Sequence, residues 1–255
     1  MTLTITPLPG IPLIHPGDDL AELIIKALHN ACILLQNDDV LVITQKIISK
    51  SEGRFVNLNH ITPSNEALQL AQEIGKNAGL VELILRESKR IIRKRGGTII
   101  VEHRLGFICA NAGIDHSNVM DREKNPGEWV LLLPENPNQV ASDIRNKLEK
   151  VSGKRLGVLI IDSHGRAWRI GTIGTTIGLS GMPAIADLRG KPDLFGNQLQ
   201  ITQVGAADEL AAAASLILGQ SNEGTPVAHV RGFPYPLVKA EFTDLLRFEE
   251  DDLFR

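Results

Sequence analysis

Two polar segments that each contain an aspartate directly follow apolar stretches that are expected to form strands. The first is Asn111–Asn118, which contains Asp115, and the second is Asp162–Arg166. A carboxylate held at the end of a buried strand is well placed to bind a cation, and hard oxygen ligands favour Mg²⁺ or Mn²⁺ over Zn²⁺. Ser163 would add a hard oxygen beside Asp162. Two such carboxylates could share a two-ion site.

Each segment also has a purely structural interpretation. Turns rich in Asn, Gly and Asp commonly cap helices, and the spacing around Asp115 alone favours that role. For Asp162, a metal ligand and a turn cap are equally supported. A third polar segment, Gln220–Pro226, contains Glu223, which could bind a metal or a nucleotide. Its alternative is the turn that ends a helix.

Other familiar catalytic patterns are missing from the sequence. The glycine-rich stretch Gly171–Gly178 has neither the Gly-Lys-Ser/Thr ending of a P-loop nor a GxGxxG pattern, so close packing and turns are favoured over anion binding. There is no Gly-x-Ser-x-Gly motif, and none of the seven histidines pairs with another at metal-ligand spacing. His116 and His164 lie beside the two aspartates without being obvious ligands.

The composition is typical of a globular protein in a reducing compartment. The chain has 255 residues, 43% hydrophobic and 22% charged, with a formal net charge of −3. This charge lacks the basic excess of nucleic-acid-binding proteins, and no apolar run approaches the ~20 residues that cross a bilayer. The N-terminus does not resemble a signal peptide. Cys32 and Cys109 are expected to be buried thiols. We therefore expect a cytoplasmic protein that binds neither nucleic acid nor membrane.

The predicted elements alternate irregularly, which favours an α+β fold with mixed sheets over a doubly wound one. A helix is expected to begin with Asp18 as its N-cap, and a strand is expected over 156–161, ending at Asp162. A helix expected near Leu80–Ile92 runs into the stretch 86–95, which holds six basic residues and one acidic residue. A solvated helix face is the common role of such a charge run, and an anion-facing patch is the alternative.

Five segments in order resemble the coenzyme F420-0:L-glutamate ligase family, over nearly the whole chain. They are Pro9–Pro12, Gln45–Gly53, Ala112–Asn118, Asp162–Arg169 and Gly219–Pro226. Each segment is weakly specific alone, whereas all five in this order are specific. The resemblance implies a single domain over residues 1–255, with an α+β fold of two interleaved lobes that forms an intertwined homodimer. The flavin-reductase-like domain that follows the ligase in some relatives is not expected here.

The resemblance implies an amide-bond ligase that acts on small molecules. GTP would activate the terminal carboxylate of F420-0, a deazaflavin with a phospholactate tail, through an acyl phosphate. The amine of L-glutamate would then displace phosphate, and further glutamates could be added through γ-links. Two divalent ions, Mg²⁺ or Mn²⁺, and K⁺ would support the reaction. The partners are therefore F420-0, L-glutamate and GTP.

Positions of the family's functional residues carry over to this sequence. By resemblance, Asp115 and Asp162 bind one metal ion, Ser163 binds the second, and Lys50 joins the two aspartates at the catalytic centre; Glu223 is a candidate further ligand. The expected nucleotide contacts come from Asn118 and from three other segments. These contacts are Gly10, Ile11, Pro12, Leu13, Gln45, Lys46, Lys50, Gly219, Gln220, Ser221, Asn222, Glu223, Gly224, Thr225 and Pro226.

Two other functions remain open from the sequence. One is a metal-dependent phosphatase or nucleotidase, and the other is a non-catalytic nucleotide-binding subunit whose acidic C-terminal segment and basic stretch 86–95 are complementary dimer surfaces. Electrostatics favours bound cations in either enzyme, since two anions about 4 Å apart repel by roughly 4 kcal/mol at an effective dielectric of 20. Every enzymatic hypothesis requires Asp115 and Asp162 to lie close together.

Overall fold

The chain forms an α+β fold, as the sequence predicts. The computed structural model describes residues 2–120 and 125–253. The helices are α1 (Leu20–Asn30), α2 (Gln45–Ser51), α3 (Asn65–Ile74), α4 (Ala78–Arg86), α5 (Pro137–Ser152) and α6 (Ala206–Leu218). The strands are β1 (Thr4–Pro7), β2 (Val40–Thr44), β3 (Phe55–Asn57), β4 (Ser88–Arg95), β5 (Thr98–His103), β6 (Ile108–Ala110), β7 (Trp129–Leu131), β8 (Gly157–Arg166), β9 (Arg169–Ser180), β10 (Ala186–Asp187), β11 (Gln203–Val204) and β12 (Val227–Arg231). Within the described part of the chain, no helix is long and apolar enough to cross a bilayer.

A mixed five-stranded sheet organises the fold, with the strand order β1-β12-β2-β8-β9. Strands β2 and β8 are parallel, with Thr44 opposite Ile161, and the other neighbours are antiparallel. Because parallel strands end at the same edge of a sheet, the end of β2 lies beside the middle of the long strand β8. Strand β1 ends and β12 begins at that edge too. We call it the site edge.

Both faces of the central sheet are buried under helices. Alternate side chains of β2 and β8 point to opposite faces, as the period of two in a strand requires. One set packs with α1, α3, α4 and α5, and comprises Leu41, Ile43, Val158 and Ile160. The other set packs with α6, and comprises Val40, Val42, Leu159 and Ile161. This double burial explains why both strands read as continuous apolar runs.

The glycine-rich stretch Gly171–Gly178 lies within β9 and serves close packing. A Cβ atom on Gly174 would lie 2.5 Å from the carbonyl oxygen of Ala211 in α6. A Cβ atom on Gly178 would lie 2.5 Å from Cβ of Pro137 in α5. The prediction of close packing is therefore confirmed, and the prediction of turns is wrong, since these glycines let two helices approach opposite faces of one strand.

The expected helix over 80–92 is wrong in its second half. Helix α4 ends at Arg86, and Ser88–Arg95 forms the edge strand β4 of the β4-β5-β6 sheet. The paired isoleucines Ile91 and Ile92 suit a strand as well as a helix, and pairing with β5 decides between them. Charged side chains on an exposed edge strand also hinder pairing with another chain.

The basic stretch is partly neutralised within the chain. Arg90 contacts Glu102 at 2.9 Å and Glu249 of the acidic C-terminal segment at 2.6 Å. Lys94 contacts Glu73 at 2.5 Å. The acidic and basic segments thus meet inside one subunit, which weakens the hypothesis that they are surfaces reserved for a second copy.

Two local predictions are corrected by the structure. The N-cap of α1 is Asp19, whose Oδ1 accepts the N–H groups of Ala21 and Glu22, while Asp18 accepts from His15 in the preceding turn. Cys109 is buried as expected, but Cys32 is exposed. It lies just past the end of α1, where the chain leaves the core.

A buried ionic cluster links the end of α4 and the turn after β5 to Arg54, which follows α2. Glu87, at the end of α4, accepts from Arg54 Nη2 through both carboxylate oxygens at 3.1 Å and from Arg104 Nε at 2.9 Å. Arg54 Nε donates to the carbonyl oxygen of Leu133, and Arg104 Nη1 to that of Glu135. Only 12% of the Glu87 side chain is exposed, so its carboxylate balances two guanidinium groups in a poorly solvated place.

We expect Glu87→Gln to lower the free energy of unfolding by about 3 kcal/mol, because removing one partner leaves buried charge uncompensated. Urea unfolding at neutral pH measures this. The exposed Glu66→Gln in the first turn of α3 is the control and should cost less than 1 kcal/mol. Equal losses for the two variants would contradict the structural role of the cluster.

Candidate active site

The segments with predicted nucleotide contacts converge at the site edge. The N–H of Thr44, at the end of β2, donates to the carbonyl oxygen of Pro226 at 2.9 Å. The N–H of Leu8, just after β1, donates to the carbonyl oxygen of Val227 at 2.8 Å. The loop that holds Gly10–Leu13, the start of α2 and the loop Gly219–Pro226 are therefore neighbours. The sheet, rather than sequence proximity, brings them together.

Asp115 is fixed above the start of α2 by its backbone and by its side chain. Its N–H and C=O both bond to Leu131, at 2.9 and 3.0 Å. Its Oδ2 accepts from Gln45 Nε2 at 2.7 Å and lies 3.4 Å from Lys46 Nζ, which also donates to the carbonyl oxygen of Ser117 at 2.9 Å. Helix α2 thus docks the Asp115 segment onto the central sheet.

The side chains of Gln45 and Lys46 are engaged by protein groups. Gln45 is buried, and its Oε1 accepts from Ser49 Oγ at 2.8 Å while its amide binds Asp115. Lys46 binds the Asp115 segment through Nζ. Sequence reasoning assigned both residues to the nucleotide and missed this docking role.

Asp162 lies within β8 instead of at its end, so the predicted strand end is wrong. The strand continues to Arg166 because it pairs with β9, where Asp162 is opposite Thr175. The apolar run stops at Ile161 because the β8–β9 hairpin extends out of the core beyond that residue. A search for apolar runs therefore does not detect the second half of β8. Asp162 is still nearly buried, with 13% of its side chain exposed.

The neighbour that orients Asp162 is His164. Its Nε2 lies 2.9 Å from Asp162 Oδ2, and since a carboxylate only accepts, the imidazole donates. The two residues share one face of β8 because they are two positions apart. Alternation along the strand is the signal that could have identified His164 from the sequence.

The loop Gly219–Pro226 joins the two aspartate segments. Ser163 Oγ donates to Gln220 Oε1 at 2.6 Å, and Asn118 Nδ2 donates to the carbonyl oxygen of Ser221 at 2.7 Å. Glu223 is turned onto its own loop, where Oε2 accepts the N–H of Ser221 at 2.8 Å. The structure therefore brings Ser163 and Asn118 to one loop, whereas the hydrogen bond made by Glu223 stays inside that loop.

The two aspartates differ in the direction in which their surroundings shift the pKa. Burial raises the pKa of the Asp115 carboxyl above its ordinary 3.8; the charge of Lys46 opposes this and the charge of Asp162 adds to it. Burial is the largest influence on Asp162 and acts to raise its pKa, but the hydrogen bond from His164, the hydrogen bond from the Ser163 backbone and nearby positive charge together outweigh burial, so the pKa lies below 3.8. The negative charge of Asp162 therefore acts on Asp115.

Lys50 brings a further positive charge to this group. It lies one turn after Lys46 on α2, and burial together with the charge of Lys46 lowers its pKa, while Asp115 opposes the change. Within residues 2–120 and 125–253, no carboxylate oxygen lies within ion-pair distance of Lys50 Nζ. Its ammonium group is therefore available to an anionic ligand.

The donor set fits Mg²⁺ or Mn²⁺ better than Zn²⁺. No group of three or more His, Cys, Asp and Glu side chains that could hold a metal occurs among the described residues. Two carboxylates with hydroxyl and amide oxygens nearby suit an ion that completes its shell with water and phosphate oxygens, which is the habit of Mg²⁺. The candidate hydroxyl oxygen is that of Ser163.

Comparison with known proteins identifies the family. A sequence model described as F420-0:Gamma-glutamyl ligase matches residues 10–232. The chain is 43% identical over 257 residues to the coenzyme F420:L-glutamate ligase of Methanothermobacter thermautotrophicus, with 100% of each chain covered. It is 43% identical over 247 residues to that of Methanococcus maripaludis strain S2, covering 96% of this chain and 94% of the relative. It is 38% identical over 255 residues to that of Archaeoglobus fulgidus, covering 100% and 97%.

The chain therefore belongs to the F420-0:gamma-glutamyl ligase family, and the resemblance seen in the sequence is confirmed.

Opposite pKa directions predict opposite stability effects for the two aspartates in metal-free buffer. A raised pKa means that the fold disfavours the ionised Asp115, so Asp115→Asn should raise Tm at pH 7. A lowered pKa means that the fold favours the ionised Asp162, so Asp162→Asn should lower Tm at pH 7. Both differences should shrink as the pH falls into the range where the carboxyls protonate. Calorimetry with EDTA measures this, and shifts of the same sign would contradict it.

Proposed function

We propose that this member of the family joins L-glutamate to the carboxylate of F420-0 and uses GTP to drive the reaction. The curated relatives over the full length of the chain are named coenzyme F420:L-glutamate ligase. The observation that carries the proposal is the meeting of Asp115, Asp162 and Lys50 with the loops Gly10–Leu13 and Gly219–Pro226 at one sheet edge. Acidic and basic groups are thereby combined beside the three segments proposed to contact the nucleotide.

The first step is a phosphoryl transfer to the carboxylate. An oxygen of the F420-0 carboxylate attacks the γ-phosphorus of GTP, the bond to the β,γ-bridging oxygen breaks, and GDP leaves with that electron pair. The product is an acyl phosphate. Attack by one anion on another requires positive charge between them, and Lys50 supplies part of it. Positioning and charge stabilisation dominate such a step, which agrees with the lack of a nucleophilic triad in the sequence.

Oxygen-bearing side chains near Lys46 would hold the divalent ions. Asp115 and Asp162 are the proposed ligands of one Mg²⁺ or Mn²⁺, Ser163 belongs to the second, and Glu223 remains a candidate further ligand. When bound, such ions neutralise phosphate charge and polarise the transferred phosphoryl group. A K⁺ ion is part of the same proposal. The protein's own part is to keep two carboxylates in place despite their repulsion, through Gln45, Lys46 and His164.

The second step forms the amide. The amine nitrogen of glutamate attacks the acyl carbon, the bond from that carbon to the phosphate oxygen breaks, and inorganic phosphate leaves. The amine loses one proton to a base or to water. The nucleotide-binding roles proposed for the loop residues are to orient GTP during the first step and to shield the acyl phosphate from hydrolysis during the second.

We also propose that the chain acts as a homodimer in the cytoplasm. Large apolar side chains project into solvent at two places, the tip of the β8–β9 hairpin and the loop before β11. They are Trp168 (88% exposed), Ile170 (102%), Leu194 (99%) and Phe195 (90%). Clustered exposed apolar groups are typical of protein interfaces. Because the hairpin also carries Asp162 and Ser163, contact with a second copy would stabilise the strand that holds the site.

We expect F420-0 incubated with the protein, GTP, Mn²⁺ and L-glutamate to gain one or more glutamyl units, as measured by mass spectrometry. Asp162→Asn should remain folded by circular dichroism and form no product, because the substitution removes charge without changing shape. The matched control is Asp187→Asn, an exposed aspartate paired with Arg189 far from these residues in sequence, which should retain activity.

The same assay separates the alternatives. Phosphate release from GTP and metal alone, without F420-0 or glutamate, would show a phosphatase or nucleotidase. Binding of GTP without turnover in any substrate mixture would show a non-catalytic subunit. Either result would overturn the ligase proposal.

We expect light scattering to give twice the chain mass of 27.8 kDa for the native protein. The double variant Trp168→Glu, Phe195→Glu should dissociate, because two charges would be buried in the proposed interface. Leu34→Glu, an equally exposed leucine at another place, is the control and should stay dimeric. A native monomer, or a double variant that remains dimeric, would contradict the proposal.

A further inference from the structure

His164 and Asp162 form a hydrogen-bonded pair that is largely removed from solvent. Only 12% of the His164 side chain and 13% of the Asp162 side chain are exposed. The bond of 2.9 Å engages one carboxylate oxygen, Oδ2. Among the described residues, no other side chain donates a hydrogen bond to the Asp162 carboxylate. The imidazole therefore distinguishes the two oxygens and sets the rotation of the carboxylate.

Phe107 holds the imidazole in place. The His164 ring packs on Phe107 with ring centres 5.1 Å apart and an interplanar angle of 40°. Phe107 is itself fixed on two sides. It stacks on His103 at 5.0 Å, nearly parallel, and meets the edge of Phe242 at 5.7 Å.

These supporting rings are anchored in turn. His103 is fully buried, and its Nδ1 accepts the N–H of Leu105 at 3.1 Å. Phe242 is 5% exposed and belongs to the short 3-10 turn Phe242–Leu245 near the C-terminus. The His164 ring therefore rests on a stack that spans the outer sheet and the C-terminal segment. Such packing leaves the imidazole little freedom to turn away from Asp162.

We propose that His164 is a positioning residue, which fixes the Asp162 carboxylate for binding of a divalent cation without binding the cation itself. This inference rests on the proposed function, in which Asp162 is a metal ligand. Groups that hydrogen-bond a ligating carboxylate orient it, and their loss commonly costs ten- to a hundredfold in metal affinity. Because Nε2 already donates to Asp162, the imidazole acts on a cation through that carboxylate.

The test measures binding of Mn²⁺ alone by electron paramagnetic resonance of the free ion. His164→Phe keeps a ring against Phe107 and removes the donor, so we expect the Kd for Mn²⁺ to rise about ten- to a hundredfold. His164→Gln restores an N–H donor at a similar reach and should recover most of the affinity. Phe107→Leu, which loosens the ring without touching the hydrogen bond, should raise Kd in the same direction by less.

A positioning role also has a kinetic signature. In His164→Phe, the Mn²⁺ concentration for half-maximal activity should rise, while kcat at saturating Mn²⁺ returns towards the native value. A purely structural loss would instead lower kcat at every Mn²⁺ concentration, and would overturn the proposal.

The matched control is a second histidine–aspartate pair at the opposite edge of the sheet. His229 Nε2 lies 2.8 Å from Asp39 Oδ2, and both side chains are buried. His229→Phe, or His229→Gln should the first not fold, breaks or weakens an equivalent bond. It should lower Tm and leave the Kd for Mn²⁺ unchanged. Equal losses of Mn²⁺ affinity in the His229 and His164 variants would overturn the proposal.

The outcomes separate this inference from the function on which it rests. If Asp162→Asn loses Mn²⁺ but His164→Phe does not, only the positioning role fails. If the native protein binds no Mn²⁺, or Asp162→Asn binds it normally, the metal assignment fails and the positioning role with it. A nitrogen hyperfine coupling to bound Mn²⁺ that vanishes in His164→Phe would show His164 to be a ligand and would also overturn the proposal.

Discussion

The parallel pairing of β2 with β8 is the contact on which the candidate site depends. It sets Thr44 beside Ile161, and therefore the first residues of α2 beside Asp162. Because side chains alternate along a strand, a shift of one residue would turn Asp162 to the other face and send Val158 and Ile160 into the wrong core. The register is thus fixed by burial on both faces of the sheet, and chemistry at its edge follows from packing in its interior.

The ionised side chain of Asp115 lowers the stability of the folded protein. Asp115 is partly buried, and burial together with the like charge of Asp162 raises its pKa, so the fold disfavours its ionised form. Lys46 and His164 offset part of that repulsion. Neutralising one of the acids would remove this repulsion, and the two negative charges are the groups that the proposed cation binding requires. The buried cluster around Glu87 differs, because there a single carboxylate accepts from two guanidinium groups.

Much of the fold was predictable because its signals are local. The apolar runs of β2 and β8, Pro137 and Gly153 at the two ends of α5, and the alanine-rich α6 all carry their signals within a few residues. Prediction failed in the second half of the expected helix 80–92, where the sequence suits a strand as well as a helix and pairing with β5 decides between them. The aspartates were found because they follow apolar stretches. The bond from Gln45 to Asp115 spans 70 positions, and no local pattern encodes it.

The site also depends on parts of the chain that carry no candidate ligand. Asp162 belongs to the central sheet, while Asp115 follows the outer sheet β4-β5-β6, so the distance between the two acids is set by how the sheets pack. Phe107 lies at that junction, between His164 of the central sheet and His103 of the outer one. Phe242 closes the stack from the C-terminal segment. A cation shared by the two aspartates would therefore join two sheets, and its affinity would report on the packing of aromatic rings outside its own coordination shell.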